Sequence, residues 1–337
     1  MTKNTVIYIC CFLFSSIYSL SAQESFFENK FTLHRINPSM HGINLNSRVG
    51  LQYASLNYKN GLRGEHNHLY GNYAFEKQNF TIALEANSFK MSQLGLDENE
   101  IKVSYVYDLK IGFDMYLLGG INFGWKSLNV DPKLLIFGDQ LNISTGIITE
   151  TNDPLAQIEL NNNYFDIGAS ALVYSSTFLL GVHAAHLNEP YITFDRQSKI
   201  KEKIKYTLIS MVELDLNPRK MMYKLLPEDS YFLGGINVIK HGNLNRISVS
   251  EELILSNISL GAYQSLLNNE SFSATELGVF SSISLNNIIL NFNYSFQLAN
   301  NDYNIPGTFK IGLEYNFYKF FNTRRGNFKF LSTDNLR

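Results

Sequence analysis

The stretch from Asn163 to Pro190, NYFDIGASALVYSSTFLLGVHAAHLNEP, holds two alternating runs separated by Ser175-Ser176, and neither run carries Lys, Arg or Glu on either face. Alternation with period two is the signature of a strand with two different faces. In the first run Phe165, Ile167, Ala169, Ala171 and Val173 share one face. Tyr164, Asp166, Gly168, Ser170 and Tyr174 share the other, with Leu172 as the exception. After the serines, Phe178, Leu180, Val182 and Ala184 continue the apolar face, opposite Leu179, Gly181, His183 and Ala185. A soluble sandwich normally puts charge on its outer face. Here the candidates for that face are Gly, Ser, Tyr and His, which points to lipid on one side and a packed, weakly polar interior on the other.

Composition agrees. Charged residues make up 17% and aromatics 14%, with 25 Phe and 20 Tyr against one Trp. A transmembrane β-barrel combines these features with a mean hydropathy near zero, because only alternate residues meet lipid; the value here is −0.11. Beyond the first residues no apolar run is long enough for a transmembrane helix.

Residues 1–22 place Lys3 before an apolar stretch from Val6 to Phe14, with small residues leading to Ala22. This is the layout of a secretory signal peptide, with cleavage expected after Ala22. Both cysteines, Cys10 and Cys11, fall inside it, so the expected mature chain has no disulfide and no thiolate. Loss of Lys3 takes the net charge from −2 to −3, which gives no basis for nucleic-acid binding.

Fourteen candidate strands follow, within a range of 12 to 16, between residues 47 and 318. The expected architecture is an all-β, antiparallel transmembrane barrel, preceded by a periplasmic segment over 23–46 and followed by a basic periplasmic tail over 319–337. Short links alternate with longer polar ones at 57–67, 90–100, 127–163, 188–202, 267–273 and 299–307. In outer-membrane barrels the short turns are periplasmic, which places both termini there. Tyr70, Tyr73, Phe75, Tyr105, Tyr107, Phe317 and Tyr318 are expected to form an interfacial girdle.

No catalytic set stands out. GxSxG is absent, and Glu251 and Glu252 fall on opposite faces of a strand. His183 and His186, three apart, have a spacing that suits a metal on a helix but fall on opposite faces of a strand, which argues against a metal. Asp97, Glu98 and Glu100 read as a solvated outer loop. No cofactor, metal or enzymatic activity is expected.

Three segments carry a resemblance. The first is Asn37-Pro38 with Gly42, in NPSMHG, followed by Arg48 in the first strand. The second is the long link with Asp131 and FGDQ, containing Phe137, Asp139 and Gln140. The third is FDIGA from Phe165, ending in His186 to Pro190. In this order they resemble the PorP/SprF family of type IX secretion system membrane proteins. The resemblance implies a non-enzymatic outer-membrane barrel that docks periplasmic machinery and a secreted client, such as a gliding adhesin. Two departures stand beside it: the turn lacks the small-residue ending, and the chain ends in a basic tail. Arg324 and Arg325 in that tail, interleaved with phenylalanines, are candidate contacts for a periplasmic partner. A passive or solute-selective porin is the alternative, and it would need charged ladders along an open lumen. A secreted soluble sandwich is the third reading.

Overall fold

A computed structural model describes residues 32–317, apart from loop positions 59–60, 136–137, 141–149, 154–155, 157–159, 195–199, 219–225, 228, 269–271 and 299–306. The signal peptide, residues 23–31, Phe137, Tyr318 and the basic tail with Arg324 and Arg325 lie outside the described residues.

The first seven strands are β1 (Ser47–Asn57), β2 (Arg63–Phe75), β3 (Phe80–Met91), β4 (Leu96–Lys110), β5 (Tyr116–Val130), β6 (Leu160–Tyr174) and β7 (Phe178–Ala185). The second seven are β8 (Lys205–Asp215), β9 (Ser230–His241), β10 (Leu244–Leu255), β11 (Ile258–Asn268), β12 (Phe272–Leu285), β13 (Ile288–Gln297) and β14 (Gly307–Phe317). Each pairs antiparallel with its sequence neighbours, and β1 closes on β14 from Ser47↔Phe317 to Leu56↔Thr308. The ring is closed, so every strand has a hydrogen-bonded neighbour on both sides, although β6 runs beyond β7 and pairs with it only from Ala169 to Tyr174.

Alternation assigns the faces as expected. Phe165, Leu180 and Val182 are exposed on the outer wall, while Leu172, Tyr174 and Leu179 are buried inside. Outer aromatics stack around one rim: Phe75 lies 4.5 Å from Phe80, and Phe80 lies 5.3 Å from Tyr105. Tyr70 does not join this girdle. Its parity points it inward, where its hydroxyl donates to Glu314 Oε2 at 2.7 Å.

Connection lengths alternate less strictly than the sequence suggests. β4, β5 and β6 each run 15 residues, past the membrane-crossing minimum, and absorb positions expected to be loop. The long links that remain at one rim are 131–159, 186–204 and 298–306. At the short-turn rim, 216–229 is the one long connection. Asp97, Glu98 and Glu100 therefore lie in β4. Glu98 and Glu100 face the lumen, 3.4 and 3.8 Å from Lys126 Nζ, because paired charges are stable inside a polar barrel.

The largest departure concerns residues 32–46, expected outside the barrel in a periplasmic segment. They fill the lumen at the short-turn rim as short 3-10 turns over Leu33–Arg35 and Pro38–Leu45, the latter broken by a kink at Ile43 and Asn44. The reason is apolar matching. Leu33, Ile36, Met40 and Ile43 pack against inward Val106, Leu118, Leu172, Leu179, Ile209 and Leu233 from β4 to β9. That inner wall explains Leu172, the aliphatic exception on the inward face of β6. Each fully buried Leu or Ile contributes roughly 1.5–3 kcal/mol by leaving water.

Gly42 sits where the plug packs closely on β4 and β5. A Cβ there would lie 2.7 Å from both Leu118 Cδ2 and Val106 Cγ1. Gly42→Ala is expected to weaken docking of the plug by about 1–3 kcal/mol and leave the barrel closed. Hydrogen exchange should read this as lost protection over residues 32–46 with strand protection unchanged.

Candidate functional site in the plugged lumen

The plug is held on two chemically different walls. On the β6–β7 side, Asn37 caps the segment that Pro38 opens: its Oδ1 accepts from Ser39 N at 3.0 Å. Its Nδ2 donates to the Ala171 carbonyl at 3.3 Å and the Val182 carbonyl at 3.1 Å, fastening the plug to two adjacent strands. Ser39 and Ser170 hydroxyls meet at 2.8 Å beside Gly120, where a side chain would collide with both. His183 turns inward and its Nδ1 meets the Ile36 carbonyl at 2.9 Å.

The opposite wall, formed by β1 to β4 and β14, is polar. His34 Nε2 lies 3.0 Å from His68 Nε2, and His68 Nδ1 lies 2.7 Å from Asn87 Oδ1. His41 Nε2 is 3.1 Å from Glu85 Oε1, and Lys102 Nζ is 3.3 Å from Glu85 Oε2. Arg48 Nη1 approaches Glu314 Oε2 at 3.5 Å. Buried charges here are paired, as burial requires.

Toward the long-loop rim, above the plug, lies a cavity of about 250 Å³ lined by Arg35, His66, Lys102, Lys126, Asp166 and Lys205, among others. Its mouth is bounded by His186, whose Nδ1 lies 3.0 Å from Asp166 Oδ1. His183 and His186 thus both face the lumen, against the strand-parity expectation. β7 ends at Ala185, and His186 takes a left-handed backbone with φ 60°, which breaks the alternation.

The residues singled out in the sequence form separate groups. Asn37, Pro38 and Gly42 lie in the plug, while Arg48 lies on the polar wall beside Glu314. His186 lines the cavity, and Pro190 is in the following loop, where its carbonyl accepts from Glu202 N. Asp131 caps a short turn by accepting from Lys133 N at 3.0 Å. Asp139 is exposed, and hydrogen bonds from the Asn152 amide and the Thr151 hydroxyl hold its carboxyl below the usual carboxylate range. Gln140 is half-buried beside it in the long loop. The histidine and Glu85 set escaped sequence reading. The signal for it was present in β2, where His66, His68, Tyr70 and Asn72 occupy successive inward positions. Many charged side chains are buried on the inner wall, among them Glu85, Asp108, Glu252, Lys310 and Glu314.

Burial holds His34 and His41 below the ordinary histidine range; for His41, Glu85 opposes this shift while Arg48 and Lys102 add to it. The docked plug therefore binds fewer protons than a hydrated one. Its docking is fully stable above a pH of about 6.5 and weakens as pH falls below that value. Protease protection of residues 32–46, compared at mildly alkaline and acidic pH, measures this. At Asn37, removal of the amide by Asn37→Ala should cost about 1–3 kcal/mol. Asn37→Asp should cost more, because it sets carboxylate oxygens against two carbonyls. The temperature at which the barrel loses its compact electrophoretic mobility ranks the two.

The fold has counterparts among solved structures. The CymD monoaromatic hydrocarbon channel aligns at 9% identity over 88% of this chain and 95% of its own, with a TM-score of 0.51. The outer membrane protein Omp33 of Acinetobacter baumannii aligns at 9% identity over 81% and 99%, with a TM-score of 0.46. No curated protein matches the sequence. The family model described as type IX secretion system membrane protein PorP/SprF matches residues 18–315. Taken with the closed fourteen-stranded barrel, that match makes this chain a member of the PorP/SprF family, an outer-membrane component of type IX secretion.

Proposed function

We propose that this barrel is a non-enzymatic docking component that holds a secreted or surface-attached client, such as a gliding adhesin, and periplasmic machinery at the outer membrane. The observation that carries this reading is the filled lumen. Residues 32–46 are buried between an apolar wall and an ion-paired wall, an arrangement suited to a rigid platform and costly to open. In this reading the short-turn rim and both chain ends face the periplasm, in reach of the machinery. The long loops, including Asp131, Asp139 and Gln140, face outward and meet the client.

The porin alternative has its own support in the charged inner wall, but Glu85, Glu98, Glu100 and Glu314 are engaged with Lys102, Lys126 and Arg48 instead of lining a free path. The two readings separate on one preparation. Purified in mild detergent after cross-linking in the outer membrane, the chain should bring type IX components or one large secreted protein with it. In planar bilayers it should give no sustained conductance. A clean barrel with steady conductance would overturn docking in favour of the porin.

A further inference from the structure

Where β7, β8 and β9 end together at the long-loop rim, the strand register sets Ala185 opposite Lys205 and Lys205 opposite His241. The next residue after Ala185 is His186. The loop that joins β7 to β8 folds back on itself, with Glu202 N donating to the Pro190 carbonyl at 2.8 Å and Tyr191 bridging Lys201. That return places Glu202 at the same level. Three side chains from three separate chain segments thus converge: one ligand atom each from His186, Glu202 and His241 lies within 4.8 Å of the others.

We propose that these three residues bind a borderline divalent cation of the Zn²⁺ class. The donor set is two imidazoles and one carboxylate, the mixed nitrogen and oxygen chemistry that such ions take with an open fourth position. The surroundings are arranged for it. Ionised Asp166 can only accept, so the 3.0 Å contact fixes the hydrogen of His186 on Nδ1 and leaves the Nε2 lone pair free. A carboxylate behind a histidine in this way is the usual outer shell of a metal ligand. His241 Nε2 faces Glu202 Oε1 at 2.9 Å. Such a contact is satisfied by a shared proton or a shared metal ion. A proton serves two partners, whereas the arrival of a second imidazole at the same point suits a metal. Tetrahedral ligand atoms stand roughly 3.3–3.5 Å apart at ordinary zinc distances, which a small closing of these side chains reaches.

Backbone geometry supports the same reading. His186 holds a left-handed conformation that costs a non-glycine residue energy, and without it the ring would follow strand parity away from the lumen. His241 and Glu202 are partly exposed, which gives an ion a way in. The deeper set of His34, His68 and Glu85 is fully buried, and Lys102 already neutralises its carboxylate. Bound at the outer site, the ion would pin the 186–204 loop to the end of β9 and present an open coordination position to the cavity.

The test uses the full chain without a histidine tag, in detergent, stripped with chelator and titrated with Co²⁺. One equivalent should bind with the visible absorption of a low-coordinate nitrogen and oxygen site, and Zn²⁺ should displace it. His241→Ala and Glu202→Gln should each weaken binding at least tenfold. Asp166→Asn, which leaves all three ligands in place, should weaken it by about 10–100-fold with the absorption bands retained. Heat-dependent gel mobility verifies that each variant keeps the barrel. Absence of Co²⁺ uptake above a detergent blank would overturn the proposal. So would undiminished uptake by the His186→Ala/His241→Ala double variant, which would move the metal to the deeper histidines.

Discussion

A sheet immersed in hydrocarbon cannot leave an edge unpaired, because each stranded amide or carbonyl costs several kcal/mol with no water to meet it. The pairing of β1 with β14 removes that cost here, and the rest of the molecule is conditional on it. Closure divides the side chains into two populations with different solvents. It also creates an interior that has to be filled, hydrated or ion-paired. The chain fills it with the residues immediately before β1 and pairs the charges that the filling leaves behind.

Those two solutions occupy different sectors. From β4 to β9 the short-turn half of the inner wall carries the apolar cluster, with Asp108 and Glu213 beside it, and from β1 to β3 and at β14 it is polar. The plug matches both, with Leu33, Ile36, Met40 and Ile43 toward the first and His34 and His41 toward the second. Asn37 then ties it to main-chain carbonyls that strand pairing leaves with a spare lone pair. Apolar packing sets how strongly the segment is held, and the polar contacts set where.

Much of the barrel was legible in the sequence because period-two patterning is a local property. All fourteen strands can be read from alternation, with errors confined to their ends. Strand extension past the lipid is not local: nothing around Glu98 or Glu100 announces that Lys126 waits on the next strand. The plug was illegible for the same reason. Leu172 looked like an exception to its face, and only the arrival of Met40 and Ile43 in the lumen makes it the rule. His183 and His186 show the limit from the other side. Parity arguments hold only while the strand lasts, and β7 stops between them. Among the motif residues, Asn37 and Gly42 owe their identities to packing that lies more than sixty residues away in the chain.

The position of the plug in the chain ties filling to assembly. Asn46 leads straight into Ser47, the first residue of the strand that closes the ring, so plug and closing strand are one continuous element. Contacts of β1 with β14 span most of the chain and carry a large loop-closure entropy. The plug's contacts with β4 to β7 join parts of the chain that are less distant, and they anchor the residues before β1 to the far side of the inner wall. Filling the lumen therefore also fixes where the first strand begins.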